Sequence, residues 1–315
     1  MKEQFNRDVD QGLKSIPKTL PSKYFYDRRG DELFVQIMKM PEYYVTRAEY
    51  EIFKEQNDRI TNALDLNPNN YFELIELGPG DGTKTKELLK TLIKGNFNFD
   101  YLPIDISQNA LDQLERSLAK ELPEVCVKTK HGDYFSMLES LKDSNHPKVV
   151  FFLGSNIGNL TDSRAAEFIY KLGANLKPGD KLLLGVDLIK SATIVGPAYD
   201  DSNGITKMFN LNLLHRINNE LDGNFILENF IHKPEYSEED GIARSFIESS
   251  KDQTIRINGN ANTYYLKKGE KIQTEISRKY NDEIIRTIIK DTDFRISGKL
   301  TDSKNYFCDY ILTRS

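Results

Sequence analysis

The sequence predicts an α/β protein in which a Rossmann-like sheet is joined to a second, smaller α+β domain. Between residues 72 and 188, short apolar segments alternate with amphipathic ones. This strand-helix alternation is typical of a parallel sheet with right-handed crossovers. Outside this block the alternation is lost, because residues 1–60 are polar with helical spacing and residues 241–280 have the period of two that marks β-strands.

The periodicity also predicts where each element lies. We expect strands at 72–77, 100–105, 125–130, 148–153 and 180–186, and helices at 83–93, 107–120 and 162–175. Further along the chain, the pattern predicts helical structure over 190–235, strands over 241–280, a helix over 281–293, and a final strand over 306–313 that returns to the first sheet. The predicted domains are therefore 61–195 with 281–315, and 1–60 with 196–280.

Composition and charge narrow the function classes. The 315 residues are 38% hydrophobic and 29% charged, with a net charge of −5. Acidic and basic residues are interleaved, and the sequence has no run of basic residues of the kind that binds nucleic-acid phosphates. We therefore expect no nucleic acid partner. The longest apolar runs, such as 149–153, have strand length, and the N-terminus lacks the apolar region of a signal peptide. These features predict a cytoplasmic protein, expected to be a monomer, with a small-molecule substrate and no membrane partner.

The two cysteines complete this part of the prediction. Cys126 and Cys308 lie in strand-like segments far apart in the sequence. Such cysteines are expected to pack as small, reduced hydrophobic residues, and their spacing matches no metal-binding motif. No metal site is predicted.

The sharpest motif is a glycine-rich turn between the first strand and the first helix of the alternating block. Gly78, Gly80 and Gly82 allow a left-handed backbone and a close approach by a ligand. The next strand ends in Asp105, 27 residues after Gly78. A carboxylate in that place can accept hydrogen bonds from both ribose hydroxyls. The alternative role of Asp105, capping the helix that follows, suits Ser107 better.

A third strand end points to the same edge of the sheet. Asp133 and Tyr134 follow the third strand, where the carboxylate can bond an adenine amine and the ring can lie against the base. Together with the glycine turn and Asp105, they favour S-adenosylmethionine. NAD is the alternative cofactor, but no constellation suited to accepting hydride follows.

The fourth strand ends in Gly154-Ser155-Asn156-Ile157-Gly158-Asn159-Leu160. Small polar residues and glycines at a strand end predict the wall of a site. The alternative is an ordinary turn with asparagine in the left-handed conformation.

In this order, the motifs resemble the histidine-specific N-methyltransferase family, which makes hercynine on the route to ergothioneine. The resemblance covers nearly the whole chain. Its motifs are Phe25-Tyr26-Asp27-Arg28-Arg29-Gly30, Leu33-Phe34, the segment from Pro41 to Glu49, Glu76-Leu77-Gly78, the fourth strand end, the segment from Gly185 to Lys190, Ala198-Tyr199-Asp200-Asp201 and Thr274-Glu275-Ile276-Ser277.

The resemblance implies roles for individual residues. Cofactor contacts would fall on Gly78, Lys84, Asp105, Asp133 and Tyr134, and substrate contacts on Tyr43, Asn159, Tyr199, Glu275 and Ser277. The chemistry suits an amino acid with an imidazole, because hydroxyl and amide donors can meet its carboxylate and the carboxylate at position 275 can accept a ring N–H. Without the resemblance, two residues at i and i+2 of a strand would simply share a solvent-facing side.

The predicted activity is methylation of the α-amino group of L-histidine, to the trimethylated betaine. Asn159 would orient the amine. Tyr26 is the second catalytic candidate, because it would place a hydroxyl nearby. Ser245 stands where the mycobacterial member of the family carries methionine, so the predicted pocket has more room and an added hydroxyl. The alternatives are an N-methyltransferase acting on another amino acid, such as a tryptophan derivative, and a non-catalytic protein that binds S-adenosylmethionine.

Overall fold

The computed structural model describes residues 2–315, which fold into two compact units. We call residues up to Tyr44 together with Lys190–Arg278 the antiparallel unit, and Val45–Ile189 together with Lys279–Ser315 the parallel unit.

The bounds of the regular elements are as follows. The strands are β1 (Lys18–Thr19), β2 (Phe72–Leu77), β3 (Phe99–Asp105), β4 (Cys126–Val127), β5 (Lys130–His131), β6 (Lys148–Phe152), β7 (Lys181–Asp187), β8 (Phe230–Ser237), β9 (Ile242–Ser249), β10 (Gln253–Ile257), β11 (Asn262–Leu266), β12 (Lys271–Arg278), β13 (Phe294–Thr301) and β14 (Phe307–Arg314). The α-helices are α1 (Lys2–Lys14), α2 (Arg28–Lys39), α3 (Val45–Glu55), α4 (Asn57–Ala63), α5 (Thr83–Lys94), α6 (Gln108–Glu121), α7 (Tyr134–Ser140), α8 (Asp162–Gly173), α9 (Ala192–Tyr199), α10 (Ile205–Leu221) and α11 (Asp282–Ile289).

The parallel unit is built on a sheet in the order β13-β14-β7-β6-β2-β3-β4, with β5 also pairing with β3. Strands β2 to β7 pair in parallel, whereas β14 runs antiparallel to both β7 and β13. Every residue of β2 and β6 is buried, as expected of strands covered on both faces. The carboxyl ends of the parallel strands meet at one edge, which is where ligands lie in open α/β sheets.

The structure corrects three details of the predicted sheet. The segment 125–130 forms two very short strands, β4 and β5, rather than one continuous strand. The strand β13 was not predicted, because Ser297, Gly298 and Lys299 separate its apolar residues and leave little hydrophobic pattern in the sequence. The predicted final strand, β14, therefore lies inside the sheet between β13 and β7.

Helices α3 and α4 belong to the parallel unit, although the prediction grouped residues 45–60 with the N-terminal segment. The physical reason is burial on the sheet. Ile52, Phe53 and Ile60 are fully buried, and the Phe53 ring meets Phe151 of β6 edge-on at 6.0 Å between centroids. A polar helix pattern alone does not say which core its apolar face joins.

The antiparallel unit has a four-stranded sheet in the order β1-β12-β9-β8, and β10 and β11 form a separate hairpin. Its core is one cluster of buried residues, drawn from both ends of this unit's sequence, that includes Phe5, Leu33, Leu213 and Ile247. The predicted helical region 190–235 is helical only as far as Leu221, since residues 230–237 form the strand β8.

The two cysteines are both free thiols but differ in burial. Cys308 is buried as predicted, whereas Cys126 is exposed. The prediction for Cys126 is wrong because β4 is a two-residue strand at the sheet edge and does not cover it. Among residues 2–315, none of the helices combines the length and the apolar character that crossing a bilayer requires.

Candidate active site

The glycine turn after β2 has the backbone that the motif predicts. Gly78, Gly80 and Gly82 have φ values of +67°, +59° and +69°, in the left-handed region that favours glycine. A Cβ on Gly78 would lie only 2.6 Å from the Tyr134 hydroxyl, whereas a Cβ on Gly80 would meet no atom within 4 Å. The structure thus brings the predicted residues Gly78 and Tyr134 together, and leaves open space beside Gly80.

Asp105 lies at the end of β3, next to the glycine turn on β2. Its Oδ1 accepts a hydrogen bond from the Ser107 backbone N–H at 2.8 Å, and burial raises the pKa of the carboxyl above its ordinary value. Ser107 caps α6, as predicted, by accepting a bond from the Ala110 backbone N–H at 3.2 Å. Asp105 was considered as a ribose acceptor or as the cap of the next helix. The second role belongs to Ser107, because its side chain caps α6.

Asp133 follows β5, the strand that pairs with the end of β3. It is exposed, and its Oδ1 caps α7 by accepting a bond from the Ser136 backbone N–H at 3.0 Å. The hydrogen bond to Ser136 lowers the pKa of the Asp133 carboxyl. The Asp133 carboxylate is thus ionised, and one of its oxygens caps α7.

Lys84, in the first turn of α5, forms an ion pair with Glu49 of α3. The Glu49 side chain has no exposed surface, while the Lys84 side chain is 21% exposed. Glu49 also accepts hydrogen bonds from the Gly154 backbone N–H at 2.8 and 3.0 Å. The lysine at the cofactor turn is therefore connected through one carboxylate to the end of β6.

The segment after β6 forms a turn that ends in the exposed Asn159. The left-handed residues are Gly154 (φ +73°) and Ser155 (φ +56°), so the alternative of an asparagine in this conformation does not hold. Ser155 stabilises the turn because its hydroxyl accepts a bond from the Asp187 backbone N–H at 3.0 Å. Asn159 lies at the end of the turn, in the parallel unit.

In the antiparallel unit, Glu275 and Ser277 lie on β12, opposite Ser245 and Ala243 of β9. The register shifts between Gln273 and Glu275, which marks a bulge. The fully buried Ser245 hydroxyl donates to Glu275 Oε2 at 3.0 Å. Bulges re-aim side chains within a sheet, and here the irregularity lies at the residue predicted to bind an imidazole.

Aromatic rings surround Tyr26 in the same unit. Tyr26 packs edge-on against Phe34 at 5.5 Å and Phe209 at 5.7 Å, and Phe34 packs edge-on against Tyr43 at 6.4 Å. Partial desolvation, followed by the charge of Glu275, raises the pKa of the Tyr26 hydroxyl, which stays protonated at neutral pH. The hydroxyl can therefore donate a hydrogen bond but cannot serve as a strong base.

Tyr199 is the last residue of α9, and a histidine side chain forms a hydrogen bond with its backbone carbonyl. His232 Nε2 lies 2.9 Å from the Tyr199 carbonyl oxygen, which can only accept, so this nitrogen carries the hydrogen. Desolvation lowers the pKa of His232, which keeps the ring neutral. The predicted substrate residues Tyr43, Tyr199, Glu275 and Ser277 thus all belong to the antiparallel unit, as does Tyr26.

Two features of the site were not predicted from the sequence. One is Glu49, which was noted only as part of a motif and received no role. The other is Phe209, which lies among Tyr26 and Phe34 although α10 has no pronounced amphipathic pattern. The signal that could have identified Glu49 is a glutamate at a buried helical position. Buried carboxylates are nearly always paired, so such a residue indicates a partner.

Comparisons with known proteins agree with this arrangement. The family of histidine-specific, S-adenosylmethionine-dependent methyltransferases matches residues 5–314. Histidine N-alpha-methyltransferase of Mycobacterium tuberculosis is 35% identical over 89% of this chain and 85% of its own length. The enzyme of the same name from Mycolicibacterium smegmatis is 33% identical over 97% of this chain and 93% of its own.

A more distant relative, an L-tryptophan methyltransferase of Psilocybe serbica, is 25% identical over 95% of this chain and 89% of its own length. The family match covers nearly the whole chain, and the mycobacterial relatives exceed 30% identity. The predicted family, α/β fold, cofactor and enzyme class are confirmed. The chain belongs to the family of histidine-specific, S-adenosylmethionine-dependent methyltransferases.

Proposed function

We propose that this protein methylates the α-amino nitrogen of L-histidine, in successive transfers that yield the trimethylated betaine. The observation that supports histidine best is Glu275, an acceptor on a strand bulge with a buried serine hydroxyl bonded to one of its oxygens. An imidazole N–H matches such an acceptor, whereas a purely apolar side chain offers the carboxylate no donor in exchange for the water that it displaces.

The residues of the parallel unit fit S-adenosylmethionine. The left-handed glycine turn has open space at Gly80, Asp105 offers an acceptor for ribose hydroxyls, and Lys84 offers the ammonium that a methionine carboxylate needs. We assign cofactor contacts to Gly78, Lys84, Asp105, Asp133 and Tyr134. When bound, the cofactor supplies a methyl group on a sulfonium, which is reactive towards a neutral amine.

The substrate residues act by orientation. Tyr43, Tyr199 and Ser277 supply hydroxyl donors for the carboxylate and ring of the amino acid, and Asn159 is assigned to the α-amino group. Tyr26 remains a protonated donor, so the amine loses its proton to solvent rather than to this residue. Holding reactants in line can supply roughly 7–11 kcal/mol of barrier lowering, and this is the main contribution expected of the chain.

The aromatic rings of Tyr26, Phe34 and Phe209 support the later transfers. A quaternary ammonium has no N–H to donate, so aromatic faces are suitable neighbours for it. Such walls tolerate the added methyl groups without a lost hydrogen bond.

The test is an incubation of the protein with all twenty amino acids and isotopically labelled cofactor, followed by mass analysis of the products. We expect label in histidine carrying one, two and then three methyl groups. Label in tryptophan instead would contradict histidine as the substrate, and the absence of any product would support a non-catalytic cofactor-binding protein.

A further inference from the structure

The parallel unit holds a cluster of three buried acidic side chains around Lys84, and the proposed function gives a role only to the lysine. We call Glu49, Glu76, Lys84 and Asp309 the buried cluster. The three carboxyl residues are each at most 2% exposed, and they face a single ammonium. A buried charge is costly unless it is paired, so the cluster needs an explanation.

Burial raises the pKa of two of the three acids. Glu76 accepts bonds from the Thr85 hydroxyl at 2.9 Å and the Tyr101 hydroxyl at 2.5 Å, and burial raises its pKa to about 7. Neither oxygen of Asp309 has a hydrogen-bond partner, and burial, followed by the charge of Glu49, raises its pKa well above the ordinary value. Burial of Asp309 therefore favours its neutral, protonated form.

Glu49 is the acid that bonds directly to the ammonium. Its two oxygens also accept the Gly154 backbone N–H, and a Cβ on Gly154 would lie 3.7 Å from Lys84 Nζ. Gly185 makes room for this arrangement, because a Cβ there would overlap Glu49 Oε1 and lie 3.0 Å from Asp309 Oδ1. Burial by itself lowers the pKa of Lys84, but Glu49 outweighs it, and the pKa of Lys84 is raised.

An ammonium has three N–H donors, and the bond to Glu49 leaves others for a ligand on the exposed side of Lys84. The lysine side chain is flexible and strongly hydrated, so fixing it before a ligand arrives removes part of the entropic cost of binding. The carboxylate is the only anionic group of S-adenosylmethionine.

We propose that Glu49 is a positioning residue for the cofactor, which holds the Lys84 ammonium and the Gly154 amide in place so that the methionine carboxylate meets a preformed cation. This rests on the proposed cofactor role of Lys84. Glu49 itself lies behind the lysine and does not touch the ligand.

The test compares Glu49→Gln with the wild type by calorimetry, using S-adenosylmethionine and its decarboxylated analogue at pH 7 and pH 9. We expect Glu49→Gln to weaken S-adenosylmethionine about tenfold or more, and to weaken it further at pH 9, where an unpaired buried lysine loses its proton. Binding of the decarboxylated analogue should barely change. Glu49→Asp, which keeps the charge, should recover part of the affinity, and it replaces Glu49→Gln if that variant does not fold.

The matched control is Glu87→Gln. It removes a carboxylate from the Lys90–Glu87 pair of α5, the helix that also carries Lys84, where the lysine is exposed and the two side chains are 2.8 Å apart. This variant should bind both ligands as the wild type does. Equal losses for the two ligands in Glu49→Gln, or unchanged or tighter binding of S-adenosylmethionine, would overturn the proposal.

Lys84→Met distinguishes the positioning role of Glu49 from the cofactor role of Lys84, on which the positioning role rests. If Lys84→Met weakens S-adenosylmethionine while Glu49→Gln does not, only the positioning role fails. If neither substitution weakens it, the assignment of Lys84 to the cofactor site fails as well.

Discussion

Glu49 and Glu275 are two glutamates, one in each unit of this protein, whose surroundings differ. Glu49 has no exposed surface, and it accepts bonds from a lysine and a backbone amide of its own unit. Glu275 is partly exposed on a strand bulge, and a buried serine donates to one of its oxygens. The first arrangement fixes the protein's own groups, and we propose that the second presents an acceptor to a ligand. The comparison predicts that substitution of the acidic residues assigned to the cofactor in the parallel unit weakens cofactor binding, whereas substitution of Glu275 in the antiparallel unit weakens binding of the amino acid.

The largest effect is expected for Asp105→Ala in the parallel unit. Losing a charged acceptor for the ribose hydroxyls should cost about 1.5–3 kcal/mol of S-adenosylmethionine binding, which is roughly a ten- to hundredfold loss of affinity. Calorimetry measures the loss directly. Histidine affinity, measured at saturating cofactor, should stay within about twofold.

Ser107→Ala is the matched control, because Ser107 caps α6 beside Asp105. It should lower the stability of the protein by about 1 kcal/mol and leave cofactor affinity in place. If Asp105→Ala folds normally and binds the cofactor as the wild type does, Asp105 has no part in the ribose site.

The reverse pattern is expected for Glu275→Ala. Removal of the acceptor should raise KM for histidine about tenfold or more, since 1.4 kcal/mol corresponds to a factor of ten. Cofactor affinity should barely change. Discrimination against phenylalanine should shrink, because its ring has no N–H to donate and would no longer face a carboxylate acceptor.

Ser245→Ala sharpens this test by removing only the hydroxyl that bonds to Glu275. We expect a smaller rise in KM than for Glu275→Ala, because the acceptor itself remains. Steady-state kinetics with each amino acid measures both variants. Unaltered histidine kinetics in Glu275→Ala would mean that Glu275 and Ser277 merely share one side of a strand.

The smallest effect concerns the stability of the parallel unit. Because burial raises the pKa of Asp309, the folded state keeps a proton that the unfolded chain releases above about pH 4. The free energy of unfolding therefore falls as pH rises through that range. Asp309→Asn removes this dependence, so its Tm relative to the wild type should increase between pH 4 and pH 8, by a few degrees. Parallel pH curves for the two proteins, measured by calorimetric melting, would contradict a protonated Asp309.

The local elements of the parallel unit were predictable because their signals are local. Apolar strands of five to seven residues, a glycine turn at Gly78, and Ser107 as a helix cap each depend on neighbours in the sequence. The strand β13 was missed since Ser297, Gly298 and Lys299 separate its apolar residues, and β8 was taken for helix because it follows the helical segments α9 and α10. The family and the cofactor followed from motifs in a fixed order along nearly the whole chain.

The sequence by itself determined which strands end in glycine, aspartate and small polar residues, and hence the edge of the sheet where the cofactor residues gather. Only the tertiary structure decided that residues 45–60 pack with the parallel sheet, and that Glu49 meets Lys84, 35 residues away, and Gly154, 105 residues away. The physical reason is that periodicity and caps act over a few residues. The partner of a buried charge is set by which elements pack together, and no local pattern in the sequence records that choice.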